Sequence, residues 1–282
     1  SFSPTVLQNN QKMMKLQLLL IFSLLSATAY GKRTETHVFN VKTTTEAQVF
    51  NEPHLPDGLR LAEEFAGSEG FVVSLPQLFS ARVKASFDNT IWNNWYTTLS
   101  EESVVFDQKR GKTVVVLIHG GGILNSDRID RIFRTSNGMT QDGEGRGGAL
   151  LSQDEASNIV KGILPDGTQI KMYDYNDYIN ETRVVPSRHG IILDFDVARE
   201  SLDGYTEYSI LKKDPLFIAR AGGVNAAAQY LDKLSSRNVN TTRMGNWHPF
   251  NRIDSSIPQT RITFMSGNLG GVGSNGGNSN PY

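Results

Sequence analysis

Two carboxylates stand close together at the end of an apolar, strand-like segment. Asp194 and Asp196 lie at the end of Gly190–Phe195, and residues two apart on a strand point to the same face. Such a pair can bind a metal ion or divide the acid and base roles of catalysis. The alternative is a structural role for the two carboxylates, which would cap a helix and form a surface pair with Arg199. No partner at a recognisable spacing accompanies the pair, so the sequence leaves both interpretations open.

A second cluster combines aromatic, polar and rigid residues at positions 246–250, which read Asn-Trp-His-Pro-Phe. Trp247, His248 and Phe250 could line a ligand surface, because aromatic faces stack on sugars and other flat partners. Aromatic residues also serve to anchor loops to a core, and that is the alternative here. The cluster therefore predicts either a surface for a small molecule or glycan, or a buried anchor.

A glycine run follows the most strand-like segment of the chain, Thr113–Ile118. Its residues are His119, Gly120, Gly121 and Gly122. The run resembles the oxyanion loop of the α/β-hydrolase esterases and lipases, in which glycines let backbone N–H groups approach the developing oxyanion. The resemblance implies an ester or amide hydrolase and extends to these four residues alone.

A hydrolase of that family also needs a serine nucleophile, usually within Gly-x-Ser-x-Gly, and the chain has no such pentapeptide. The nearest match is Ala219–Gly223, where Arg220 stands in place of the serine, and Ser266 is another candidate nucleophile. The glycine run has two further interpretations. It could be a tight turn at the end of a strand, or a cradle of amides for an anion if a helix begins near Asn125 or Ser126.

Composition excludes several kinds of chemistry. The chain has no cysteine, which rules out thiol catalysis, iron–sulfur clusters and cysteine zinc sites. Its 5 histidines show no close metal-binding spacing, so we expect neither a metal site nor a cofactor. A net charge of −1 provides no basic field for nucleic acid. Whether the protein is an enzyme stays open on these grounds.

Strands and helices alternate irregularly along the chain. The unbroken β-branched run Thr113–Ile118 predicts a strand that is buried on both faces, and Gly190–Phe195 predicts a second. Ser152 begins a predicted helix with a capping box, and Asp214 caps another. The expected fold class is α/β, with α+β as the alternative: a mixed, partly buried sheet with flanking short helices.

The segment Met13–Gly31 has the pattern of a secretory signal peptide. Lys15 provides the positive charge, Leu16–Leu25 the apolar core, and Ala27 and Ala29 the small residues before a cleavage site. The apolar core is shorter than the roughly 20 residues of a membrane-spanning helix. We therefore expect the protein to be secreted or periplasmic, with no membrane span after the signal peptide is removed.

The remaining segments complete the predicted organisation. Residues 1–12 are interpreted as an upstream extension, 32–265 as a single globular domain, and 266–282 as a flexible tail rich in Gly, Asn and Ser, or a truncated segment. The sequence thus favours an exported soluble module that binds a ligand or associates with the cell envelope. The alternative function is the hydrolase that the glycine run implies.

Overall fold

A computed structural model describes residues 37–42, 47–136, 147–237, 240–267 and 270–274, and they belong to one compact unit, Glu35–Tyr282. The predicted extension and signal peptide lie outside the described residues, as does most of the predicted tail. The strands are β1 (His37–Lys42), β2 (Ala47–Glu52), β3 (Phe71–Val72), β4 (Tyr96–Asp107), β5 (Lys112–His119), β6 (Gly148–Leu150), β7 (Lys171–Asp174), β8 (His189–Asp194), β9 (Gly204–Glu207), β10 (Arg243–Trp247), β11 (Gln259–Met265) and β12 (Val272–Gly273).

Two sheets are present in the described part of the chain. A small antiparallel sheet has the order β2-β1-β3, and a large sheet has the order β7-β8-β5-β4-β11-β12-β10-β9, with β6 beside β11. The pairs β7–β8 and β10–β12 are parallel, and the other pairs are antiparallel. The predicted mixed sheet is thus confirmed, and its largely antiparallel pairing is typical of α+β folds.

Short helices flank the sheets, as predicted. They are α1 (Leu55–Ala66), α2 (Leu75–Lys84), α3 (Ser126–Ser136), α4 (Gln153–Val160), α5 (Tyr175–Ile179), α6 (Phe195–Glu200), α7 (Tyr208–Leu211), α8 (Pro215–Ala221) and α9 (Val224–Arg237), with a 3₁₀ turn at Thr90–Trp92. Ser152 and Glu155 form the predicted capping box of α4, and Asp214 accepts from the Phe217 amide at the start of α8. These local signals therefore determine where the two helices begin.

The predicted central strand is β5, buried from Val114 to His119. Its side chains alternate between two apolar clusters: Val115 and Leu117 face one, and Val114 and Val116 face the other. Both faces of the sheet are therefore covered here, which explains a continuous apolar run in an antiparallel strand.

Part of the predicted tail lies inside the fold. Val272 and Gly273 form β12, which pairs with β11 on one side and with β10 on the other. Both residues are buried. The expectation of a flexible tail therefore fails for Gly270–Ser274, because sheet hydrogen bonds on both edges hold a segment with little side-chain surface to bury.

Candidate functional site

His119 is buried at the end of β5, and both of its ring nitrogens have partners. Nδ1 lies 2.8 Å from the Ser100 hydroxyl, and Nε2 lies 3.1 Å from the Ala219 carbonyl. A carbonyl oxygen only accepts, so Nε2 carries the proton and Ser100 donates to Nδ1. Burial, together with the nearby His189 ring, lowers the pKa of His119 to about 3. The ring is therefore neutral and fixed in one tautomer.

Ser100 and His119 have the hydrogen bond of a nucleophile and its base, but not the rest of a catalytic triad. The third partner is the Ala219 carbonyl rather than a carboxylate, and Ser100 is buried and also accepts from the Leu75 amide. Ser266, the candidate nucleophile, is itself buried. It directly follows Met265, the last residue of β11, which pairs with Tyr96 at the start of β4. The described residues give the hydrolase alternative no support.

Two amides of the glycine run are already bonded within the chain. Those of Gly120 and Gly121 donate to the Leu99 carbonyl at 2.9 and 3.0 Å. The two amides that follow the run, of Ile123 and Leu124, donate to the carboxyl group of Glu101, each at 2.8 Å. The amides shortly before α3 do hold an acidic group, but that group is the chain's own Glu101 side chain.

Glycine is required where this carboxylate enters the loop. A Cβ atom at Gly122 would lie 2.2 Å from Oε1 of Glu101, far inside van der Waals contact. Burial raises the pKa of Glu101, whereas its two amide hydrogen bonds act in the opposite direction. Gly122 is thus explained by the close approach of a buried side chain, whereas Gly120 and Gly121 adopt positive φ angles of 85° and 100° that favour glycine.

Asp194 and Asp196 do not form a paired carboxylate site. The strand ends at Asp194, which caps α6 by accepting from the Asp196 amide at 3.0 Å and which forms an ion pair with Lys112. The Lys112 hydrogen bond lowers the pKa of Asp194. Asp196 is exposed and pairs with Arg199 at 3.0 Å. The two side chains therefore have the structural roles of capping and surface pairing.

A buried polar network lies between α8 and the large sheet. Arg220, fully buried, donates from Nε and Nη2 to the carboxylate of Glu102 at 2.6 and 2.9 Å. Its remaining donors reach Asn246 Oδ1 at 2.8 Å, the Trp247 carbonyl at 3.2 Å and the Ser274 hydroxyl at 3.1 Å. One guanidinium thus connects α8 to β4, to β10 and to the residue after β12.

An aromatic row crosses this part of the sheet. We use this name for Trp95, Phe264, Trp247 and Tyr205, which come from four separate parts of the chain. Their successive ring centroids are 5.9, 6.1 and 5.7 Å apart, the first two pairs stacked and the third edge to face. Trp95 is 38% exposed and Tyr205 is 60% exposed. Trp247 is partly exposed, and Phe264 is buried at 4%, so the row presents exposed rings at its two ends and around Trp247 while Phe264 packs between them.

Two glycines allow the rings to meet. Gly273 of β12 pairs with both Phe264 and Trp247, so no side chain separates the two rings. The Trp247 indole folds back over Gly245, where a Cβ would lie 1.9 Å from its Cη2 atom. Side chains at either position would break the row, because they would occupy the space that the rings fill.

Trp247 alone of the three predicted ligand-surface residues reaches the surface. His248 is buried, with Nε2 at 2.8 Å from the Ser201 carbonyl, and Phe250 is buried against His248 and Phe195. Trp95, which directly precedes β4, is exposed. The other members of the row were missed because their alignment depends on pairing between distant strands.

The described residues contain neither a cluster of metal ligands nor a membrane-spanning helix. No group of three or more histidines or acidic residues in that part of the chain is placed to hold a metal ion. None of the helices in the described ranges has the length and apolarity needed to cross a membrane.

Comparison with known proteins gives one structural match. A solved structure described as "Accommodation of massive sequence variation in Nanoarchaeota by the C-type lectin fold" aligns with 87% of this chain and 94% of its own, at 20% identity and a TM-score of 0.57. No protein-family model matches the chain, and no curated protein matches it. The similarity shows that the chain has a C-type lectin fold.

Proposed function

We propose that this protein is an exported binding module and that its aromatic row recognises a small molecule or glycan with a flat, weakly polar face. The observation that carries the proposal is the alignment of four rings in which Trp95 and Tyr205 are exposed and Trp247 is partly exposed. Exposed aromatic surface costs free energy in water, so a row of this kind favours a partner that covers it. The C–H face of a sugar ring meets that requirement, because it is flat and apolar while its hydroxyls stay at the edge.

The surroundings of the row favour a neutral ligand. Arg243 and Glu207 pair opposite each other on β10 and β9, beside Tyr205, with their atoms 3.0 Å apart and both side chains exposed. They provide donors and acceptors at the rim without a net charge. Single-stranded nucleic acid also stacks on aromatic rings, but it requires a cationic groove, and the net charge of the chain is −1.

The buried network prepares the row for binding. Arg220 donates to the Trp247 carbonyl from beneath the sheet, so the backbone that carries the indole is fixed before a ligand arrives. A pre-organised surface loses little conformational entropy on binding. The similar solved structure is described as a lectin fold that accommodates massive sequence variation. This agrees with a fold that is stabilised by buried contacts while its surface residues vary. Export rests on the predicted signal peptide.

The test is binding to a panel of neutral oligosaccharides, followed through tryptophan fluorescence. We expect at least one to bind, and Trp247→Ala to weaken it tenfold or more, or about 1.4 kcal/mol, because a stacking platform is lost. Tyr205→Ala should weaken it as well. Phe106→Ala, which removes an exposed aromatic ring away from the row, is the matched control and should bind like the parent protein. Equal affinities for all variants would contradict the proposal.

A further inference from the structure

A cavity of about 300 Å³ opens beside the glycine run, away from the aromatic row. Its walls come from separate elements of the fold and include Glu63 of α1, Gln77 of α2, Leu99 of β4, Gly120 and Arg188. The volume is at the lower end of the range for small-molecule sites. The structural roles described so far for the glycine run do not involve this cavity.

The lining includes the half-buried carboxylate of Glu63, whose nearest cation in the described residues acts on it at a distance, from Arg60. Glu63 accepts a hydrogen bond from the Ser126 hydroxyl at 2.5 Å and has no ion-pair partner within the described residues. Burial raises its pKa, against the effect of the Ser126 hydrogen bonds. An ionised carboxylate has about four acceptor sites. Glu63 can therefore accept further hydrogen bonds from a group such as an ammonium.

Another wall carries a guanidinium whose outer nitrogens are weakly engaged. Arg188 is fixed by its Nε, which donates to the Gly121 carbonyl at 2.9 Å. Its two terminal nitrogens lie 3.4 Å from Oδ2 of the exposed Asp166, which is beyond the optimum for a charge-assisted bond. A ligand carboxylate could replace Asp166 and engage the planar fork more closely.

Aliphatic side chains also line the cavity, and they belong to Ala66, Val72 and Leu99. We propose that the cavity binds a small zwitterion, with the ligand's ammonium group at Glu63, its carboxylate at Arg188 and its carbon chain over these residues. The site is independent of the aromatic row and of its ligand.

Calorimetric titration with ω-amino acids of increasing length tests the proposal. Glycine, β-alanine, 4-aminobutyrate and 6-aminohexanoate present the same two charges at growing separations, whereas propylamine and propionate each present one. We expect one length to bind at least tenfold more tightly than either single-charge compound. Equal binding by the single-charge compounds, or no binding of any amino acid at millimolar concentration by folded protein, would overturn the proposal.

Two variants assign the contacts. Glu63→Gln keeps an acceptor for Ser126 but removes the charge, and it should weaken the best amino acid at least tenfold while propionate is unaffected. Glu64→Gln changes the exposed neighbour on the same helix and should leave binding unchanged. Arg188→Lys keeps the charge without the fork and should weaken propionate and the amino acid alike. If Glu63→Gln binds like the parent protein, Glu63 is not the ammonium site and the proposal fails.

Discussion

Replacing Arg220 by methionine should destabilise the protein by about 3–5 kcal/mol, because the carboxylate of Glu102 would stay buried without its cation. Methionine has a similar length and fills much of the same space, so the loss would come from the charge and its hydrogen bonds rather than from a cavity. Asn246 and Ser274 would lose a donor in the same substitution. The measurement is the free energy of unfolding from urea denaturation.

A second variant separates the ion pair from general damage to the core. Combining Arg220→Met with Glu102→Leu removes both charges, and the double variant should be more stable than Arg220→Met alone. Arg199→Met changes an arginine paired with the exposed Asp196 on the surface, and it should leave the urea midpoint unchanged. If Arg220→Met unfolds at the midpoint of the parent protein, the network does not stabilise the fold.

Acid should destabilise the protein between about pH 6.5 and pH 3 through His119. The imidazole is neutral in the folded protein, where its pKa is about 3, and takes up a proton near its ordinary pKa of 6.5 when the chain unfolds. The unfolded state therefore binds more protons across this window, so stability falls as pH falls. The largest slope from one such group is about 1.4 kcal/mol per pH unit. Burial lowers the pKa of His189 and of His248 in the same direction.

Urea denaturation at several pH values measures this slope, and the difference between variants isolates His119. We expect His119→Gln to be less stable than the parent protein at pH 7 but to lose less stability on acidification, because glutamine does not titrate. In NMR spectra, the His119 ring signals of the folded protein should stay constant down to about pH 4. An unchanged slope in His119→Gln would show that this imidazole is not the group that titrates.

Local signals predicted the elements that depend on neighbouring residues. The β-branched run at 113–118 became β5, the capping box at Ser152 became the start of α4, and the apolar run before Asp194 became β8. In each case the residues within a few positions settle the backbone conformation.

The site could not be predicted, because it depends on contacts between distant parts of the chain. Ser100–Ser103 reads as polar sequence, yet it lies in the middle of β4, where Glu101 and Glu102 point to different partners. Each carboxyl group can be buried there only because distant segments supply its hydrogen-bond donors. Those of Glu101 come from the two residues after the glycine run, and those of Glu102 include the guanidinium from α8. The aromatic row also depends on contacts between distant segments. Phe264 and Trp247 are brought next to each other because both of their strands pair with β12, a strand of two residues.

That short strand has a consequence for amide exchange. Within the described residues, β12 is the strand that joins β10 and β9 to the rest of the large sheet. Opening at β12 would expose the amides of β9 and β10 together, as one cooperative unit. Phe264 of β11 and Trp247 of β10 stack on each other across β12, so a ligand that fixes the Trp247 ring would oppose opening at this strand. Ligand binding should therefore slow hydrogen exchange in β9 and β10 more than in β5.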